Sequence, residues 1–381
     1  MDTIFVQIAS YRDHELPKTI ENCLQQADAP DRLRFGICWQ YDESTFTDLD
    51  PFLNDPRFRV AQFYYKDSLG CCWARHHTNQ MYQNERYMLQ IDAHMRFDKG
   101  WDTKLIDMLS GISKPKPLLT TYPPPYEVRE DSDFLFRDRG IQKLKLKKLR
   151  RNLTTEQVTD VVKDTSAPGK SPLIAAGLIF TLGKFCTEVP YDPELYFLGE
   201  EVNLAVRAYT HGYDFFFPNM DVIWHRYDHP MPLHWSDHRS YQKYEARSDE
   251  RLADLLLQRD GVPRKYGLGE ERSLEDFEHY ANLNFKERYF GKPQPCGLKT
   301  TLSLDFDNMG DRSDHVFWIL SIQNDDHHEI HRIDIHDRAV ISGERTSLDV
   351  DIDLPDKPAR FMIWPFSQSL GYVEKHFRDI D

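Results

Sequence analysis

Apolar residues fall along this chain in short blocks that end abruptly in polar ones. Ile4 to Ala9 is such a block and breaks at Ser10-Tyr11-Arg12-Asp13, the signature of a buried strand with a polar end. A helix is predicted from Leu16 to about Gln26. A second strand runs from Leu33 to Trp39, ending in Gln40-Tyr41-Asp42, and a third from Arg57 to Tyr64. Strand, helix, strand with polar strand ends is the βαβ pattern of a mostly parallel sheet. Gly70 punctuates a turn, and a helix is predicted from about Cys72 to Asn84. It leads into Tyr87 to Ile91, an uninterrupted apolar run that stops at Asp92-Ala93-His94.

Beyond this central run the pattern predicts a helix from about Asp102 to Leu109. A strand from Leu118 to Tyr122 halts at Pro123-Pro124-Pro125, which cannot continue a ladder. Ala175-Ala176-Gly177 precede another apolar strand, and small residues there let a ligand or a second backbone approach closely. Glu200 and Glu201 open a helix that reaches about Thr210 and closes at His211-Gly212. Phe215 to Phe217 and Val222 to Trp224 are strand-like and lead to His225, and about 236 to 258 is helical.

Two segments depart from this α/β texture. From Arg137 to Arg151 the chain holds eight Lys or Arg and one Asp, with Lys143-Leu144-Lys145-Leu146-Lys147 alternating at period two. This is an inserted hairpin or mobile flap within about 126–170. A solvated charged face is its plain reading, and contact with an acidic acceptor, an anionic lipid surface or a substrate diphosphate is the sharper one. From about Gly297 five alternating runs (Thr301 to Phe306, His315 to Ile322, Glu329 to Ile335, Ser347 to Leu354, Arg360 to Trp364) predict a small all-β, sandwich-like domain. The expected division is 1–292 and 293–381. His327, His328, His331 and His336 in that tail read as surface residues rather than a metal cluster.

Composition narrows the function. The 381 residues carry a net charge of −14, which argues against general nucleic-acid binding because a phosphate backbone would be repelled. No stretch approaches the roughly 20 apolar residues that cross a membrane, and the N-terminus lacks a signal-peptide pattern. Six cysteines in no zinc or disulfide spacing point to reduced thiols and a cytoplasmic protein.

The chemistry concentrates at strand ends. An acid and an imidazole two apart, Asp92 and His94, offer one oxygen and one nitrogen to a divalent cation. Ligands in open α/β sheets bind at the carboxyl ends of strands, where this pair lies. His225 is a natural third ligand, although a lone histidine is more often structural. Asp42 suits a base or ribose, or a turn. Arg75, if buried, wants a carboxylate or phosphate. Adjacent carboxylates at a helix start suit the dipole, or bind sugar hydroxyls.

Taken in order, Ser10-Tyr11-Arg12-Asp13, Gly70 to Arg75, Asp92-Ala93-His94, Ala176-Gly177, Gly199-Glu200-Glu201 and His225-Arg226-Tyr227 resemble the GT-A glycosyltransferases. More narrowly, with Tyr266 to Leu274 near the end, they resemble the Skp1-type polypeptide N-acetylglucosaminyltransferases over about residues 1 to 285. The resemblance implies a Rossmann-like GT-A domain with Asp92, His94 and His225 holding Mn²⁺ (or Mg²⁺) against the diphosphate of a UDP-sugar. It implies Arg12 and Asp42 at the nucleotide, Arg75 and Gly177 at the donor, and Glu200 and Glu201 near the sugar and acceptor. The expected activity is transfer of N-acetylglucosamine to a protein or glycan hydroxyl with retention, the leaving phosphate serving as base. Two alternatives stay open: transfer of galactose or N-acetylgalactosamine in bacterial surface polysaccharide synthesis, and a catalytically silent binding module on the same fold. Peripheral membrane contact through the basic flap is also compatible with the sequence.

Overall fold

A computed structural model describes residues 2–380 except 129–133, 137–139, 164–165, 229–231, 239, 292–297, 308, 324–328 and 355–357. The chain divides into two compact units, Met1–Gly291 and Lys292–Asp381.

The first unit begins β1 (Ile4–Tyr11), α1 (Leu16–Gln26), β2 (Leu33–Tyr41), β3 (Phe58–Tyr64), α2 (Cys71–Asn79), β4 (Tyr87–Ile91), β5 (Met95–Phe97), α3 (Trp101–Ser110) and β6 (Pro117–Thr120). It continues with β7 (Tyr126–Val128), β8 (Phe134–Phe136), β9 (Ile141–Leu149), β10 (Thr155–Val162), β11 (Gly169–Lys170), β12 (Leu178–Leu182) and α4 (Phe185–Glu188). After these come α5 (Glu200–Thr210), β13 (Asp214–Phe217), β14 (Ile223–His225), α6 (His234–Asp237), α7 (Tyr241–Leu256) and α8 (Leu274–Ala281), with the short strands β15 (Leu283–Asn284) and β16 (Tyr289–Phe290) closing the unit.

Eight strands form one sheet in the order β11-β13-β6-β12-β4-β1-β2-β3. β3, β2, β1 and β4 run parallel, as the βαβ pattern predicts. The other half is mixed, because β12 enters antiparallel between β4 and β6. The sheet separates two cores, and β1 shows why. Ile4, Val6 and Ile8 pack on one face with α1 and α3, while Phe5 packs on the other with Cys72 of α2 and Val202 of α5. Gln7 also faces α2, where it accepts hydrogen bonds from Thr78 and Asn79 and is satisfied despite full burial.

The basic segment forms an antiparallel hairpin, β9 with β10. It is neither a free flap nor a bare cationic face. Leu144 and Leu146 are buried in the main core. On the outer face Lys145 pairs with Asp160, and both Lys147 and Arg150 pair with Glu156. Burial of the leucines fixes the hairpin's face, and Glu156 and Asp160 of β10 answer part of the charge of β9. Arg137 and Arg139 lie outside the described residues.

In the second unit β17 (Leu298–Asp305) pairs with β20 (Ser347–Leu354). β18 (His315–Gln323) lies between β19 (Glu329–Ile335) and β21 (Arg360–Ser367), and β21 also pairs with the short β22 (Gly371–Tyr372) and β23 (His376–Asp379). Leu304, Trp318, Leu320, Ile335 and Ile363 share its core, with Val340 of the short helix α9 (Arg338–Ser342). His336 is exposed, but His331 is buried. The surface expectation fails for His331 because alternation along β19 turns it inward with Ile335. His327 and His328 lie outside the described residues.

Candidate active site

The carboxyl ends of β1 and β4 deliver Asp13 and Asp92 to the same edge of the sheet. His94 follows two residues after Asp92. His225 arrives from 131 residues further on because β14 pairs antiparallel with β5, aligning His225 with Met95. The Arg226 amide donates to the His94 carbonyl, which locks that register.

One ligand atom each from Asp92, His94 and His225 lies within 4.8 Å of the others, close enough together that the triad could hold one metal ion. His94 Nε2 is 2.9 Å from His225 Nε2, which is 3.3 Å from Asp92 Oδ2. Behind the triad, buried Asp13 places Oδ2 2.8 Å from His94 Nδ1. A carboxylate only accepts, so the His94 proton sits on Nδ1 and the Nε2 lone pair points into the triad. Burial opposes charging His94, but the Asp13 bond and the Asp92 charge outweigh it and raise its pKa. Burial likewise opposes the Asp92 carboxylate, and hydrogen bonding from His225 with the charges of Arg75 and His94 holds it far below the usual range.

Arg75 lies in the first turn of α2. Gly70, at φ +115°, permits the sharp entry there, and a side chain at 70 would strike the ring and carbonyl of Tyr196. The guanidinium is buried, donating from Nη2 to Asp92 Oδ1 at 2.8 Å and reaching Glu200 Oε1 at 3.0 Å. Its Nη1 has no hydrogen-bond partner among the described residues. Such an orphaned buried donor is satisfied when an anion enters. The Tyr191 hydroxyl donates to the same Glu200 Oε1 at 2.8 Å, and the Cys71 thiol lies 3.5 Å from Oε2.

Glu201 is held separately. Its Oε2 accepts from the Tyr122 hydroxyl at 3.0 Å and from Gln157 Nε2 at 2.8 Å, and its Oε1 accepts from the Ala176 amide at 3.1 Å. Burial and the neighbouring Glu200 charge outweigh these three donors, and the Glu201 pKa is pushed up to about 7. Gly177, one residue before β12, sits opposite Asp92 in the β12–β4 register, and a Cβ there would come 3.0 Å from Asp92 Oδ2.

These groups line a cavity of about 540 Å³, in the range of small-ligand sites. Asp92, His94, His225, Arg75, Gly177, Glu200 and Glu201 all belong to its wall. Arg12 and Asp42 do not. Arg12 adopts φ 49° and donates to Asp42 at 2.6 Å and Asp237 at 2.7 Å, while Asp42 also accepts from Ser44 and Thr45. Their neighbours Tyr11 and Gln40 face the cavity instead. Pattern reading also missed His234, which lines the same wall and joins Tyr196 to Ser68, and burial depresses its pKa to about 4. Tyr122 and Gln157 carried no sequence signal, since each acts through a partner remote in the chain, and Tyr191 meets Glu200 nine residues on across a loop that no spacing rule closes. Asp13 was visible only as part of the polar end of β1.

A family model described as Glycosyltransferase (GlcNAc) matches residues 3–54 and 45–287. The chain belongs to this glycosyltransferase family. No curated protein matches the sequence. Among solved structures, the crystal structure of GalNAc-T7 with UDP, GalNAc and Mn²⁺ aligns with 100% of this chain and 79% of its own, at 14% identity and a TM-score of 0.55. That likeness is one of fold, the GT-A glycosyltransferase architecture of a large mixed sheet in an α/β unit. S. aureus TarS 1–349 in complex with UDP-GlcNAc aligns with 75% of this chain and 72% of its own at 12% identity and a TM-score of 0.45. Among the described residues no helix is long and apolar enough to cross a membrane.

Proposed function

We propose that this glycosyltransferase moves N-acetylglucosamine from a UDP-sugar to a hydroxyl on a protein or glycan, with a divalent ion at Asp92, His94 and His225 and with retention at the anomeric carbon. The observation that carries the reading is the convergence of that triad beside the unpartnered Nη1 of buried Arg75 in one cavity. Two imidazole nitrogens and one carboxylate oxygen suit Mn²⁺ better than Mg²⁺, which prefers an all-oxygen shell. The Skp1-type enzymes remain the narrower kinship that the ordered motifs support.

When bound, the ion supplies positive charge against the departing diphosphate. The chain's own residues do the rest. Asp13 fixes the tautomer of His94, and Arg75 offers its free donor to a phosphate oxygen. Glu200, immobilised by Arg75 and Tyr191, is a fixed negative charge that favours an oxocarbenium-like centre. Arg75 and Tyr191 engage its Oε1 and the Cys71 thiol lies 3.5 Å from its Oε2, so we do not read it as a covalent nucleophile. This favours attack from the leaving-group face: the acceptor O–C1 bond forms as the C1–O bond to phosphate breaks, and the acceptor proton passes to the leaving phosphate. Gly177 leaves room for the sugar beside Asp92.

We read the 293–381 segment as a sandwich-like accessory domain, which two antiparallel ladders sharing one core support. The reading of function is tested by the sugar released with UDP and by the anomeric configuration of the product. An inverted product by NMR overturns retention, and turnover of UDP-galactose or UDP-N-acetylgalactosamine in preference to UDP-N-acetylglucosamine overturns the donor.

A further inference from the structure

The hairpin β9–β10 reaches the reaction centre through Thr155, in the cavity wall, and Gln157, bonded to Glu201. Along β10 the inward positions alternate, so Thr155 lines the cavity and Gln157 follows it on the same face, opposite buried Leu146. A register shift beside Gln157 leaves an extra residue in β9, and both Lys147 and Lys148 face solvent. This bulge keeps Leu146 and Leu149 on the inward side together, and bulges of this kind are how strands aim side chains near sites. The hairpin turn is anchored as well, because Asn152 Nδ2 donates to Asp249 of α7 at 3.1 Å.

The orientation of the Gln157 amide is set by its partners. Nε2 donates to Glu201 Oε2 at 2.8 Å and to the Ile174 carbonyl at 3.1 Å, and both of these can only accept when Glu201 is ionised. An ionised carboxylate has about four acceptor positions. On Glu201, Gln157 occupies Oε2, the Ala176 amide occupies one side of Oε1, and the Tyr122 hydroxyl lies between the two oxygens, 3.0 Å from Oε2 and 3.3 Å from Oε1. Three donor hydrogens on about four positions leave one, on the Oε1 side where the Tyr122 contact is the longer, and Glu201 borders the cavity.

We propose that Gln157 is a positioning residue that, with Tyr122, holds Glu201 so that its remaining Oε1 position accepts the acceptor hydroxyl, making the basic hairpin a working part of the acceptor end of the site. This rests on the transferase reading above and assigns the acceptor side of that site. Glu201 orients the nucleophile, and the proton still leaves with the phosphate. Protonation of Glu201 puts hydrogen on the one free position and so blocks the acceptor. The groups around Glu201 are consistent with such a role: the Glu200 charge on α5 raises its pKa, Tyr122 and Gln157 lower it, and Tyr227 stands beyond Tyr122.

The test is the pH profile of UDP release from UDP-N-acetylglucosamine with Mn²⁺, water serving as acceptor, for the wild type, Gln157→Met and Glu201→Gln. The methionine keeps the volume and removes the donor. Expected is a rise in wild-type rate with pH through about 7. In Gln157→Met this limb moves up by about one unit, giving about a tenfold loss at pH 6.5 that recovers by pH 9. Glu201→Gln loses the limb. UDP affinity in the presence of Mn²⁺, by calorimetry, is unchanged in Gln157→Met, which separates positioning from misfolding. A Gln157→Met profile parallel to the wild type, or one lowered equally at every pH, overturns the proposal. A wild type that releases no UDP counts against the transferase reading instead. In that case ¹³C titration of the Glu201 carboxyl decides the Gln157 contact by itself: an unshifted Glu201 in Gln157→Met overturns it.

Discussion

Replacing Asp13 by Asn tests the support behind the metal triad. Asp13 is 4% exposed, and its two oxygens serve different partners: Oδ1 accepts the Glu15 amide at 2.9 Å, and Oδ2 faces His94 Nδ1 at 2.8 Å. Asparagine can keep the first contact through its own oxygen. It then turns an NH₂ toward the Nδ1–H of His94, donor against donor. His94 escapes by moving its proton to Nε2, which removes the lone pair that the triad needs. The charge-assisted bond lost is worth about 1.5–3 kcal/mol, and losses at such supporting carboxylates typically weaken metal affinity about 10–100-fold. We therefore expect Mn²⁺ affinity to fall about 30-fold, or roughly 2 kcal/mol, in titrations followed by electron paramagnetic resonance. Asp42→Asn is the control, because Asp42 engages Arg12 away from the cavity, and its Mn²⁺ affinity should match the wild type. Wild-type Mn²⁺ affinity in a folded Asp13→Asn protein would refute the tautomer argument.

Folding raises the Glu201 pKa from 4.5 to about 7, so the native protein holds this proton more tightly than the unfolded chain. Its contribution to stability is greatest below pH 4.5 and declines as pH rises to about 7, by up to about 3 kcal/mol. Denaturant unfolding of Glu201→Gln should lose this part of the pH dependence, and an unchanged difference between pH 5 and pH 8 would contradict it. Leu144→Ala should destabilise the first unit by about 2–4 kcal/mol, whereas Lys147→Ala, at an exposed ion pair, should cost less than about 1 kcal/mol. Equal small effects would return the hairpin to a solvated flap. Gly177→Ala puts a methyl 3.0 Å from Asp92 Oδ2 and should weaken Mn²⁺–UDP binding about tenfold with little change in melting temperature. Unaltered binding would show that Asp92 has room to move.

The parallel half of the sheet was legible because β1, β2 and β4 are apolar runs with polar ends. The same ends exposed Asp92 and His94, since both lie within three residues of one strand terminus. What escaped were groups whose meaning depends on a partner far along the chain. Asp13 supports a histidine 81 residues away, and Gln157 meets Glu201 across 44 residues, so no spacing rule could join them. The charge pattern of β9 gave a solvated charged face on a hairpin, which its exposed lysines form; the carboxylates that answer them stand on β10, and a count of Lys and Arg along one strand does not see them. Asp42 read as ligand-facing from its strand-end position and the resemblance placed Arg12 beside it at the nucleotide; in the folded chain the two bind each other, and neither belongs to the cavity wall.

The account turns on metal-dependent use of a UDP-sugar at Asp92, His94 and His225. The most direct measurement is UDP release from a panel of UDP-sugars with and without Mn²⁺, for the wild type beside an Asp92→Ala/His94→Ala double variant. Release from UDP-N-acetylglucosamine that requires both Mn²⁺ and the intact triad is the predicted result. Release that survives chelation or persists in the double variant would contradict it.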